Sequence, residues 1–141
     1  MTAPPSVGFS LLTTDRIVEL HADAIAHYGG AAGVLHPDRL DGAVYSAVNA
    51  DLYRTGAETE AEADPLGVAA HLLIYFALNH VFCDGNKRIA WFAMTDQLRL
   101  VGLTVDAPTD DKERLVLSVI SEKLQAEKVI LWLIEHLDAP P

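Results

Sequence analysis

Apolar residues recur at helical spacing soon after the start of the chain. Ile17, Val18, Leu20, Ala24, Ile25 and Tyr28 share a face with His21, after Thr14 as the expected N-cap. Gly29-Gly30 ends that pattern. A second helix is expected from Pro37, with Leu40, Ala43, Val44, Ala47 and Val48 on one face. Positions 51–64 are acidic, contain Gly56 and keep no apolar stripe, so a surface loop or flap is expected there. Asp64-Pro65 is a start signal, and LGVAAHLLIYFAL after it is apolar nearly all round, which predicts a central buried helix. KRIAWFAMTDQLRLVG reads as the next helix, ended by Gly102. Leu103 to Val105 forms a short extended link, and helices over about 110–122 and 125–137 close the chain. The fold class is therefore all-α, one compact domain of about six helices, with the HVFCDGN segment as a loop between two central helices. The boundaries expected are a flexible leader at 1–9, a domain at 10–138 and a tail at 139–141.

Length and charge narrow the partners. A chain of 141 residues fits one domain and buries enough surface to need no disulfide or metal staple. Its net charge of −10 opposes nucleic acid and anionic membrane and favours basic partners. Cys83 is the sole cysteine, which excludes an internal disulfide and a cysteine-based zinc cluster. The longest apolar run, Leu66 to Leu78, is too short for a membrane span, and no secretion signal opens the sequence. A cytoplasmic location is expected.

The chemistry gathers in one stretch, His80-Val-Phe-Cys-Asp-Gly-Asn-Lys-Arg88. Gly85 permits a tight turn, and Asp84 or Asn86 could cap the helix that follows. Lys87 and Arg88 fall in its first turn, where the helix dipole disfavours each cation by about 0.3–1 kcal/mol. That placement makes sense if a phosphate sits at the helix N-terminus, held by backbone N–H groups and both cations. Asp84 supplies a hard oxygen for Mg²⁺ against such phosphates. His80 suits a general base for an incoming hydroxyl, and Phe82 is expected to point inward and pin the loop.

Each of these residues also has a plain structural reading. His80 could be a helix C-cap, Asp84 an N-cap, and Lys87 and Arg88 solvated charges; the conjunction of all of them favours one shared task. Arg88 and Asp84 are spaced to position one another across the turn. Cys83 has no paired base and reads as a bystander thiol. GGAAG at 29–33 lacks the Lys-Ser/Thr of a P-loop and reads as a linker or helix terminator. His71 is expected to be a satisfied core histidine, and no zinc site is expected from His21, His27 or His36.

His80, Phe82, Asp84, Gly85, Asn86, Lys87 and Arg88 together resemble the Fic/Doc signature, His-x-Phe-x-Asp/Glu-Gly-Asn-Gly/Lys-Arg. Gly29-Gly30 with the Leu40–Val48 helix resembles the amino-terminal part of Doc, the death-on-curing toxins, so the likeness spans roughly residues 12–136 and implies a Fic-like helical domain. Fic adenylyltransferases have Gly in the place of Lys87 and a second Arg in the place of Trp91. Lys with no second Arg is the Doc pattern.

The resemblance to Doc toxins implies a kinase that moves the γ-phosphoryl of ATP to a threonine of elongation factor Tu, with the nucleotide bound reversed relative to Fic enzymes. By matching position, His80 is the base, Asp84 the Mg²⁺ ligand, Gly85 part of the phosphate loop, and Asn86, Lys87 and Arg88 the phosphate grips. Protein AMP transfer and a catalytically silent binding module are the competing readings. Ser118-Val-Ile-Ser-Glu-Lys comes nearest to the inhibitory Ser/Thr-x-x-x-Glu-Gly/Asn pattern of Fic proteins, but Lys123 replaces the Gly or Asn. Restraint is then expected from a separate antitoxin of the Phd type.

Overall fold

The computed structural model describes residues 5–138, which form seven α-helices and one short 3-10 turn, with no strand among the described residues. The elements are α1 (Thr14–Tyr28), α2 (Pro37–Asp41), α3 (Ala43–Thr55), the 3-10 turn Glu60–Glu62, α4 (Pro65–Leu78), α5 (Asn86–Leu100), α6 (Thr109–Glu122) and α7 (Ala126–His136). Among the described residues no helix is long and apolar enough to cross a membrane.

α4 is the axis of the domain. The Asp64 carboxylate accepts from the Leu66 amide at 3.1 Å, and Pro65 opens the helix. Val68, Leu72, Leu73 and Phe76 are fully buried, and the helix packs most extensively against α5, then α3 and α7. His71 lies at the edge of this core, with Nδ1 bonded to the Gly67 carbonyl one turn back at 2.9 Å. It is satisfied, as expected, but only partly buried.

The single helix expected from Pro37 is divided at Gly42 into α2 and α3, which makes seven helices where about six are expected, and the start of α1 and the end of α3 also differ. Thr13, in extended conformation, caps α1 by accepting from the Arg16 amide; Thr14 is the first helical residue. α3 runs to Thr55, into the stretch expected to be loop, because Asp51 turns inward and binds Arg54 at 2.8 Å. Gly56, left-handed at φ 71°, ends it. The rest of that stretch is a loop with only the 3-10 turn at 60–62.

α1 is fastened along α5. Arg16 Nε donates to Asp96 Oδ2 at 2.9 Å, and Arg99 Nε donates to Asp96 Oδ1 at 2.8 Å. The buried Gln97 amide binds the Ser10 carbonyl at 2.7 Å and accepts from the Leu12 amide at 2.9 Å. Val7, Phe9 and Leu11 pack against the core beside it. Residues 1–4 of the leader and the tail at 139–141 lie outside the described residues. The extended link after α5 pairs with the chain leaving α7, through Val105 and Leu137.

Candidate active site

The site is built where α4 ends and α5 begins. Asn79 is the last residue of the α4 end, and its side-chain amide donates to the Tyr75 carbonyl at 2.9 Å. Arg39 donates to the Asn79 carbonyl at 2.9 Å, a cation placed at the negative end of the helix. His80 then takes φ 47°, in the left-handed region that few residues other than glycine use, and histidine is among the exceptions. This reversal sends Val81 and Phe82 into the core and leaves His80 exposed.

The loop does not stand alone. Residues 29–36, of which 29–33 read in the sequence as a linker or helix terminator, run antiparallel to it through a bridge between Val34 and Phe82. The Leu35 and His36 amides donate to the Val81 carbonyl at 2.9 and 3.1 Å, and the Cys83 amide donates to the Gly33 carbonyl at 3.0 Å. The difference is physical: one short bridge between two irregular segments leaves no alternating pattern to read.

Phe82 points inward, as expected, stacked between His21 at 3.7 Å and Phe76 at 6.4 Å between ring centroids. Asn86 reaches back to it in both directions: the Phe82 amide donates to Asn86 Oδ1, and Asn86 Nδ2 donates to the Phe82 carbonyl, each at 3.0 Å. The Asn86 side chain thus holds the loop closed. Gly85 supplies the turn at φ 73°; a Cβ there would also meet Ile25 Cδ1 at 3.2 Å and His21 Nε2 at 3.5 Å. The N–H of Gly85 goes to Asp84 Oδ1 at 2.8 Å.

Asp84 is exposed but well held. Its pKa lies below the ordinary carboxylate range, chiefly through the hydrogen bond from the Gly85 amide and next through that from Ala31, with the charges of Arg88 and His21 acting the same way. Arg88 is not in an ion pair with Asp84. Its Nη1 donates to the Gly29 carbonyl at 3.3 Å and its guanidinium lies 4.8 Å from the Tyr28 ring centroid. Lys87 is exposed beside it. No side chain caps α5, so neither Asp84 nor Asn86 takes the role of N-cap, and the first-turn amides lack a side-chain acceptor. Free amides, two cations and a partly positive helix end together make an anion site.

The site's fit to a metal is specific. Among the described residues no three His, Cys, Asp or Glu side chains converge, so the protein offers one ionised carboxylate. That suits Mg²⁺, which takes one or two carboxylates when phosphates and waters supply the rest, and does not suit zinc.

Next to the anion site lies a cleft of about 470 Å³ between α1, α5 and α6. Lys87 and Arg88 form one end; Tyr28, Trp91 and Phe92 give it aromatic walls. Lys112 sits 5.5 Å from the Trp91 ring centroid. His80 and Asp84 are not part of its lining, so the cleft extends along α5 away from them.

Folding thus joins Asp84, Gly85, Asn86, Lys87 and Arg88 in one turn and sets His80 at the end of α4. The sequence reading missed His21, Ala31 and Tyr28. The available signal was the spacing of His21, Ile25 and Tyr28 on one face of α1.

The model of the Fic/DOC family matches residues 11–98, from the start of α1 through the loop and most of α5. No curated protein matches the chain.

Proposed function

This chain belongs to the Fic/DOC family, whose chemistry is transfer of nucleotidyl or phosphoryl groups to proteins, and within it we propose a Doc-like toxin kinase. The kinase moves the γ-phosphoryl of ATP to a threonine hydroxyl of a translation factor of the elongation factor Tu class. Translation stops as a result. One observation carries the choice of phosphoryl over AMP transfer. The aromatic cleft holding Trp91 begins at Lys87 and Arg88 and runs away from His80 and Asp84. A base in that cleft leaves the far, γ end of the nucleotide at the α5 N-terminus, within the reach of the base catalyst.

In this reading His80 takes the proton of the threonine hydroxyl as its oxygen attacks the γ-phosphorus. The new P–O bond forms as the bond to the β,γ-bridging oxygen breaks, and ADP leaves. Asp84 holds Mg²⁺, which neutralises phosphate charge when bound. Lys87 and Arg88 grip the phosphates with their side chains, and Asn86, Lys87 and Arg88 with their first-turn amides. A separate Phd-type antitoxin belongs to this reading, because α6 ends at Glu122 and Lys123 stands where a built-in inhibitory helix needs Gly or Asn.

Incubation with ATP, Mg²⁺ and elongation factor Tu, followed by intact-mass measurement, tests the proposal. Addition of one phosphoryl group to the factor is expected. A factor left unmodified, or one carrying AMP, overturns it.

A further inference from the structure

His21 is buried, at 4% exposure, and its imidazole is 2.8 Å from the carbonyl oxygen of Asp84, 63 residues away. A carbonyl only accepts, so Nε2 carries the proton and donates. The same ring lies flat on Phe82, with 3.7 Å between centroids and 9° between planes. His71 and His136 behave differently. Each bonds Nδ1 to the carbonyl four residues back in its own helix, at 2.9 and 2.7 Å. Those bonds satisfy the ring locally and fasten nothing else. His21 instead spends its N–H on the backbone of the residue that offers the site its carboxylate.

The rest of the α1 face acts on the same few residues. Ile25, one turn on, reaches within 3.2 Å of where a Cβ would stand at both Gly30 and Gly85. Tyr28, at the end of the helix, lies under the Arg88 guanidinium. α1 itself is fixed to α5 through Arg16 and Asp96, so this face has a firm base. An apolar residue at position 21 would fill the same space. It would leave the Asp84 carbonyl without this donor and the left-handed turn at Gly85 with one restraint fewer.

We infer that His21 is a positioning residue for the transfer site: its Nε2–H on the Asp84 carbonyl and its stack on Phe82 together set the Asp84 carboxylate and the Gly85 turn. The inference deepens the kinase reading and rests on it for the catalytic consequence, while the geometric consequence stands without it.

Two variants separate the two contacts. His21→Phe keeps a flat ring on Phe82 and removes the donor; His21→Gln keeps a donor and removes the ring. Amide hydrogen exchange on the ligand-free protein reads the loop, with Leu72 and Leu73 of α4 as the internal reference. His21→Phe is expected to speed exchange at Ala31 and Gly85 roughly five- to tenfold, the weight of one hydrogen bond, with Leu72 and Leu73 unchanged. It is expected to abolish most of the difference in ATP affinity with and without Mg²⁺, and His21→Gln to restore part of both. Loop amides as slow as in the unaltered protein overturn the inference. So does equal acceleration at Leu72 and Leu73, which marks a general loss of stability, or a loosened loop with Mg²⁺-dependent ATP affinity intact. If the unaltered protein transfers no phosphoryl group, the kinase reading fails, and the exchange measurement still decides whether His21 sets the loop.

Discussion

The Ala31 amide donates to Asp84 Oδ2 at 3.1 Å, joining the arm that leaves α1 to the carboxylate of the loop between α4 and α5. Asp84 is therefore oriented from both sides, by Gly85 within the loop and by Ala31 across from it. A carboxylate held by two backbone amides stays ionised and aimed, which is what a metal ligand needs before the metal arrives.

Gly30 stands directly behind that contact. A Cβ there would come within 2.6 Å of Asp84 Oδ2, and its φ of 116° is itself hostile to a side chain. Gly30→Ala is expected to displace the carboxylate and weaken Mg²⁺-dependent ATP binding about tenfold, with a loss of about 1–3 kcal/mol of stability. Gly29→Ala, at φ 86° with open space around it, carries the backbone strain alone and serves as the control. Calorimetric titration with and without Mg²⁺, beside thermal unfolding of both variants, checks the difference.

His80→Ala removes the proposed proton acceptor without touching the first turn of α5. Phosphoryl transfer is expected to fall by about 10²–10⁴-fold while ATP affinity holds within a factor of about two. In cells the proposed kinase is expected to arrest growth on expression, and the same change to abolish that arrest. Arrest that persists in the variant assigns the toxicity to something other than proton transfer at His80.

The site was legible in the sequence to the extent that its chemistry is contiguous. His80 to Arg88 is one stretch of chain from the end of one helix into the next, so residue type and helix-end electrostatics sufficed to single out Asp84, Lys87 and Arg88 as candidates. Side-chain partners were not legible, because they depend on distant segments. His21 reaches Asp84 only after α1 has packed on α5, and a lone polar residue on an apolar face looks the same whether or not it has a distant task. Asn86 looked like a possible cap, yet its side-chain amide closes the loop on Phe82 instead. The fold followed the same rule. α4 was clear from its apolar length, whereas the last turn of α3 was hidden by Asp51 and Arg54, a buried carboxylate paired with a partly buried cation.

Trp91 gives the cleft its own reporter. Its ring meets Trp132 edge to face at 5.8 Å, so a nucleotide base stacking on it in the cleft changes the emission of a coupled pair. ATP is expected to quench tryptophan fluorescence saturably in the unaltered protein and much less in Trp91→Phe. Trp91→Ala loses a base–aromatic stack of about 1–3 kcal/mol, raising KM for ATP roughly 5- to 150-fold. The chemical step keeps its groups, so kcat holds. A fall in kcat with KM unchanged places the base elsewhere.

The buried Asp51 is a tight point in the packing of α3 on α4. It accepts from Arg54 at 2.8 and 3.1 Å and from the Asp64 amide at 2.9 Å, joining α3 to the start of α4. A Cβ on Gly67 would fall 1.8 Å from Asp51 Oδ1, so only glycine lets α4 approach. Asp51→Ala leaves the Asp64 amide without its acceptor and Arg54 with Asp64 as its remaining partner, and is expected to cost about 1–3 kcal/mol. Gly67→Ala should approach the same figure by forcing that pair apart, although alanine is the better helix former by about 1 kcal/mol. Urea unfolding of both variants measures it.

His71 links this region to pH. Burial, the largest influence, holds its pKa below the usual histidine value, outweighing the Gly67 carbonyl and the Asp51 charge that favour the proton. The folded protein therefore keeps His71 neutral at a pH where the unfolded chain, with a histidine pKa of about 6.5, already binds a proton. Its contribution to stability is complete above about pH 6.5 and is lost as pH falls from there through the folded value. The urea midpoint of the unaltered protein is expected to drop between about pH 7 and pH 5.5, and His71→Gln, which cannot titrate, to flatten the part of that drop due to this ring. Asp96 is the internal contrast. Burial raises its pKa, but the hydrogen bonds from Arg16 and Arg99 outweigh it and hold the carboxyl below its ordinary value. Its share of stability is therefore intact above about pH 4 and lost only below that, outside the window in which His71 acts.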